Sequence, residues 1–157
     1  MSDLYTDGYY RAWFVPAIAT VSAPTATELN AGTALEPYIT PGGLAIKATT
    51  APVDTSSLAS TFTTSAAGRR SFDIQIEMKR QTPTDVAYNL LPYRTTGFLV
   101  VRRTLVTATA WATGQTVEVY PVITGEPEMA VPAANEVQKF TSMMMMTADP
   151  ATRAVVA

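Results

Sequence analysis

The chain has 157 residues, 47% of them hydrophobic and only 15% charged, with 11 basic and 13 acidic side chains and a formal net charge of −2. It contains no cysteine and no histidine, which excludes disulfides, thiolate nucleophiles, zinc fingers, iron–sulfur ligation and a Ser-His-Asp triad. The near-neutral charge argues against a protein whose main affinity is for nucleic acid, because that affinity comes from clustered lysines and arginines.

In chain order, residues 1–10 are polar and acidic and are expected to form an N-terminal arm without a secretory signal pattern. Arg11 to Ala19 reads as a strand. Thr25-Ala-Thr-Glu28 is a capping-box pattern that starts a short helix reaching about Ala31, with Gly32 as its stop. Leu44 to Thr49 is a second strand. Residues 50–70 are rich in Ser, Thr and Ala and poor in large apolar side chains, so they are expected to be a long loop, with a weak strand at Phe62 to Ser65.

Ser71 to Lys79 alternates strictly. Phe72, Ile74, Ile76 and Met78 fall on one face; Asp73, Gln75, Glu77 and Lys79 fall on the other. Next, Thr82-Pro-Thr-Asp85 opens a second helix, with Thr82 as N-cap, Pro83 at its first position and an apolar stripe of Val86, Ala87, Leu90 and Leu91. Thr96 to Leu105 is a more apolar and therefore more central strand. Gln115 to Thr124 is another, bent or at an edge at Pro121 because proline cannot donate to a ladder. Glu136 to Thr147 is the last strand, and residues 148–157 are expected to be a C-terminal arm.

No apolar run approaches the ~20 residues of a membrane helix, so a soluble, cytoplasmically made protein is expected. The length fits one domain over residues 1–157. Typical chains carry about 25% charged residues. A surface this poor in charge suits contact with neighbouring subunits, whose interface cores are depleted in charge.

A search for chemistry finds no catalytic, metal or cofactor set. Asp73 and Glu77 stand about 13 Å apart along a strand, too far for a glycosidase pair. Glu126 and Glu128 have no further ligands nearby. Arg69-Arg70 and Arg102-Arg103 suit surface or inter-subunit salt bridges, and the members of a strand pair such as Arg102 and Arg103 point to opposite faces. The run Met143 to Met146 suits a strand buried on both faces, in the core and at a subunit contact. Trp13 and Trp111 suit core or interface packing.

Three stretches carry a family resemblance. The first is Pro24 to Ile39: a capped helical turn, Gly32-Thr33, then Leu35-Glu-Pro-Tyr-Ile39. The second is Asp85-Val-Ala-Tyr-Asn-Leu-Leu91 followed by Gly97-Phe-Leu-Val-Val-Arg-Arg103. The third is Gly114-Gln-Thr-Val-Glu-Val-Tyr-Pro-Val-Ile-Thr-Gly125, then Lys139 to Met146. In pattern and order the chain resembles the major tail proteins, or tail tube proteins, of long-tailed bacteriophages.

The resemblance implies a mainly β fold: an antiparallel β-sandwich or half-barrel with one flanking short α-helix, a long inter-strand loop and extended terminal arms. It implies a structural virion protein without enzymatic activity or cofactor. Copies of the chain, six to a ring, would stack into a tube around the tape measure protein, with tail-end proteins as further partners and DNA in transient, non-specific passage. Assembly would take place in the host cytoplasm and the product would reside in the virion tail. Thr50, Asp54, Leu58, Phe62, Arg69 and Arg70 fall in the segment that bridges subunits or rings in that family. Asp73, Gln75 and Glu77 suit the lumen wall, which should be polar and not basic. Two other virion roles, tail terminator and capsid decoration, share this β character, and a carbohydrate-binding β-sandwich using Trp13 and Trp111 is a reading from a different class.

Overall fold

The computed structural model describes residues 1–157. Strand accounts for 44% and helix for 6% of the chain, which sets the class as mainly β. The strands are β1 (Arg11–Val15), β2 (Thr33–Ala34), β3 (Ile39–Asp54), β4 (Ser65–Lys79), β5 (Thr96–Arg102), β6 (Thr116–Thr124), β7 (Glu128–Met129), β8 (Lys139–Met146) and β9 (Ala151–Val155); the helices are α1 (Ala26–Asn30) and α2 (Val86–Leu90). They form one antiparallel sheet in the order β2-β1-β5-β6-β8-β4-β3, with β7 paired to β8 and β9 to β6.

Period-two patterning places the core. Ile74, Ile76 and Met78 of β4 are fully buried, and they join Phe140 and Met144 of β8, Leu99 and Val101 of β5, Tyr120 and Val122 of β6 and Ala12 and Phe14 of β1 in the larger apolar cluster. Ala87 and Leu91 of the α2 segment close this cluster, and Tyr88 meets Phe140 edge-on at 5.3 Å. A smaller cluster lies on the other side of the central strands, where Val100, Val117 and Val119 meet Leu29 of α1, Trp111, Ala154 and Val156. Alternate residues of β5 thus enter two different cores, as its apolar sequence leads one to expect. At Gly97 a Cβ would lie 2.5 Å from Phe14 Cζ, so only glycine admits the ring there.

Several expected boundaries move. The capping box at Thr25 forms in full, with Glu28 N donating to Thr25 Oγ1 at 3.2 Å and Thr25 N to Glu28 Oε2 at 2.9 Å. The second helix starts later than Thr82: Asp85 is its N-cap residue and makes no side-chain cap. Its carboxylate instead accepts from Arg80 Nε and from Gln81 N. Pro121 lies in the sheet interior, not at an edge; its missing N–H falls where the outer side of β6 passes from β9 to β8.

Residues 148–157 are not a free arm, because β9 pairs with β6 and buries Ala154 and Val156. Residues 50–70 are not one long loop. β3 runs to Asp54 and β4 begins at Ser65, so the irregular part is Thr55 to Thr64 and Phe62 lies outside any strand. The outer parts of these two strands, beyond Ala48 and Phe72, are exposed on both faces, so no burial pattern marks them in the sequence.

Ile76 faces Leu44 on β3 and Ser142 on β8 with no exposed surface. Ile76→Ala is expected to destabilise the unassembled subunit by about 2–5 kcal/mol in urea unfolding. Burial, and then the Glu118 carboxylate that its hydroxyl meets at 3.1 Å, push the Tyr120 phenol well above its usual range. The folded state therefore keeps a proton that the unfolded chain releases above about pH 10, and stability falls as pH rises beyond that point. Tyr120→Phe is expected to lessen this alkaline loss, read as a shallower decline of Tm with pH.

Candidate functional site

The most distinctive surface is the outer half of the β3–β4 hairpin. Beyond the Ala48–Phe72 pair the two strands continue through Thr50–Arg70 and Val53–Ala66 to Asp54–Ser65. That extension is about 20 Å at strand rise, and it carries no core of its own. A one-residue register shift falls between Thr50 and Pro52. Gly68 lies opposite it, where a Cβ would sit 2.6 Å from Ala51 O and 2.8 Å from Val53 Cγ2. The tip is tied by local polar bonds: Thr55 N to Thr64 O at 3.0 Å, Thr64 N to Ser56 Oγ at 2.9 Å and Ser56 N to Asp54 Oδ1 at 2.8 Å. The Ser56 amide holds the Asp54 carboxyl below its usual range.

The predicted residues Thr50, Asp54, Leu58, Phe62, Arg69 and Arg70 all lie on this arm and all are exposed. Leu58 and Phe62 are almost wholly in solvent. Arg69 and Arg70 make no ion pair in the chain. Isolated two-stranded hairpins are marginal in water, and this arm leaves Val53, Leu58 and Phe62 exposed.

The second surface is the outer face of β3, β4 and β8. Asp73, Gln75 and Glu77 share it, opposite the buried Ile74, Ile76 and Met78. Cross-strand register places Lys47 against Asp73, Met143 against Gln75, Thr141 against Glu77 and Lys139 against Lys79. All three lysines of the chain therefore lie on this face. Lys139 Nζ is 3.8 Å from Glu77 and 3.5 Å from Glu136, while Thr40 Oγ1 donates to Glu77 at 2.8 Å. The face is charge-balanced, not acidic, a property that needs the pairing register and cannot be read along one strand.

The methionine run is buried on one face only: Met144 is in the core, whereas Met143, opposite Gln75, and Met145, opposite Ile123, stay exposed. Arg102 is not a surface residue but fully buried. Arg103 points the other way, donating to Glu118 and, at 2.8 Å, to the Tyr10 hydroxyl. Trp13 and Trp111 stack edge-on at 5.7 Å, with Trp111 buried. No group of three or more Asp or Glu side chains converges as a metal site.

The chain is one open antiparallel sheet that carries a hairpin arm without a core of its own. The profile of the family described as phage tail tube protein matches residues 1–157, and the chain belongs to that family. It is a structural component of a phage tail, within a multi-subunit assembly. A chain in the six-fold-symmetrised cryo-EM structure of the anti-feeding prophage baseplate has the same fold, with a TM-score of 0.59, 10% identity, and coverage of 96% of this chain and 95% of that one. Among curated proteins there is no match.

An uncovered arm should be the first part of the free subunit to meet a protease. Trypsin is expected to cut the unassembled protein first after Arg69 or Arg70, and assembly should protect both bonds. Mass spectrometry of the early fragments checks this, and a first cut within β5 or β6 would contradict the arm's exposure.

Proposed function

We propose that this chain assembles head-to-tail into rings, and that the rings stack into the tube through which phage DNA is delivered. The observation that carries the reading is the hairpin arm, whose exposed apolar side chains have no cover within their own subunit. Head-to-tail contacts close into rings or continue as filaments, and both are needed for a tube. The fold likeness to a chain in a six-fold-symmetrised assembly favours six copies to the ring.

In this reading Thr50, Asp54, Leu58, Phe62, Arg69 and Arg70 bridge subunits or rings. The face bearing Asp73, Gln75 and Glu77 lines the lumen. A wall with unopposed lysines would hold phosphate by counterion release and slow its passage. Here Lys47 stands opposite Asp73 and Lys139 lies near Glu77 and Glu136, while Lys79 faces Lys139 without an ion pair; two of the three lysines are thus offset, which supports a wall that DNA slides past. Exposed Met143 and Met145 add adaptable apolar contact, suited to the tape measure protein that occupies the lumen before DNA does. Tail-end proteins are the remaining partners, assembly takes place in the host cytoplasm, and no catalytic step belongs to the reading.

Negative-stain microscopy of the concentrated protein is expected to reveal stacked rings with a central hole. Single rings that never stack would point to a tail terminator, and a persistent monomer would sink the proposal. Replacing Leu58 and Phe62 together with serine should abolish long polymers while leaving the monomer folded. In phage, the double substitution Asp73→Lys with Glu77→Lys should slow DNA ejection without preventing tube assembly, because it strips the lysines of their partners; unchanged ejection would remove the lumen assignment.

A further inference from the structure

A pair of arginines on the sheet margin away from the arm has no role in the account above. Arg11 on β1 and Arg102 on β5 are direct cross-strand partners, so both side chains leave the sheet on the same face. Both guanidiniums lie over the Trp111 ring, with Cζ at 4.9 and 5.0 Å from its centroid, and Arg11 is also 4.8 Å from the centroid of Trp13. Arg102 is fully buried. It donates to Gln115 Oε1 at 3.0 Å, Val106 O at 3.0 Å and Thr109 O at 2.8 Å, all neutral acceptors, and its Nε has no partner.

Arg11 is half-buried and donates only Nε, to Thr107 O at 3.1 Å. Its two terminal nitrogens have no acceptor in the chain. The carboxylate that offsets this pair is Glu36, which accepts from Trp13 Nε1 and Ala12 N, both at 3.3 Å, and forms no ion pair. Like charges directly opposite on paired strands destabilise the sheet, and a desolvated cation without a counter-ion costs more. Two guanidiniums with one carboxylate leave a positive charge uncompensated, with free donors at the surface.

The arm carries the complement. Asp54 stands at its tip with no cation within ion-pair distance, its carboxylate fixed by Ser56 N. Exposed Val53, Leu58 and Phe62 surround it in the chain. Beside Arg11 the half-buried Trp13 and exposed Val106 offer apolar cover. The arm extends β3 and β4 at one margin of the sheet, and β1 lies near the other. The two patches therefore do not overlap, as a head-to-tail contact requires.

We propose that the arm tip of one copy docks on the Arg11–Trp13–Val106 patch of a second copy, where the terminal nitrogens of Arg11 receive the Asp54 carboxylate. Leu58 and Phe62 then cover Trp13 and Val106, and the incoming charge also offsets the buried Arg102, which it does not touch. Arginine and tryptophan are the residue types on which interface energy concentrates. The inference rests on the subunit reading given under Proposed function and names the contact that reading leaves open.

The chain has no cysteine, so an engineered pair gives a clean test. Full-length Leu58→Cys and Val106→Cys proteins, each substituted at an exposed position, are mixed under assembly conditions and oxidised. A disulfide between the two variants is expected, with far less linkage in either variant alone. Charge exchange gives the energetic arm: Asp54→Arg and Arg11→Asp should each raise the critical concentration for assembly about tenfold or more, and the double variant should recover most of that loss. Arg11→Met, which keeps a long apolar side chain over the indoles, serves as the folding-neutral variant, checked by the near-ultraviolet circular dichroism of the tryptophan pair. Mixed cysteine variants that assemble without the cross-link, or charge-exchange single variants that assemble normally, would overturn the docking and leave the tube reading standing. A wild-type chain that never polymerises overturns both.

Discussion

Everything in this fold depends on how β6 shares its hydrogen bonds. One side of β6 pairs with β5 from Glu118 to Ile123. The other side is divided: Thr116 to Val119 pair with β9, and Val122 to Thr124 pair with β8. Between them stands Pro121, which has no N–H to offer, while its carbonyl accepts from Thr147 N at 3.0 Å. Proline in a central strand is tolerated only where a ladder bond is dispensable. Here the gap lets the sheet divide. β8, β4 and β3 sweep round the large core, and β9 turns to cover the small one. That division carries the arm to one margin of the sheet and leaves the Arg11 patch near the other.

Elements with one wet and one dry face were legible before the fold was known. Ser71 to Lys79 alternates because Ile74, Ile76 and Met78 meet Phe140 and Met144, and the capping box at Thr25 is a local device that needs no tertiary context. Elements lacking that contrast were not legible. The outer hairpin is wet on both faces, so its Ser, Thr and Ala residues read as loop even though their backbone is paired. β9 is short and its buried partners lie on β6, far off in sequence. The start of α2 is likewise not legible, because Asp85 bonds Arg80 and Gln81 instead of the helix amides.

The candidate surfaces divide the same way. That Asp73, Gln75 and Glu77 share a face follows from strand period alone. That Lys79 joins them follows in the same way, but that Lys47 and Lys139 do does not, because it depends on which residue of β3 and β8 stands opposite which residue of β4. The burial of Arg102 was hidden for a related reason: its acceptors are Gln115 and the carbonyls of Val106 and Thr109, contributed by the segment that folds back after β5. A charged pair read along the chain gave no hint that one member turns inward over an indole.

The arm has a kinetic consequence as well. Isolated two-stranded hairpins are marginal in water, and under the proposed docking a receptor that binds only the ordered arm sees its apparent affinity reduced by the fraction of free subunits whose arm is ordered. The first few copies to meet must order several arms before many contacts exist to reward them. In the proposed tube, a copy arriving at an established ring end meets several receptors at once. In the proposed assembly, starting a tube is thus disfavoured relative to lengthening one, and the onset of growth passes to whatever surface first presents a set of docked arms.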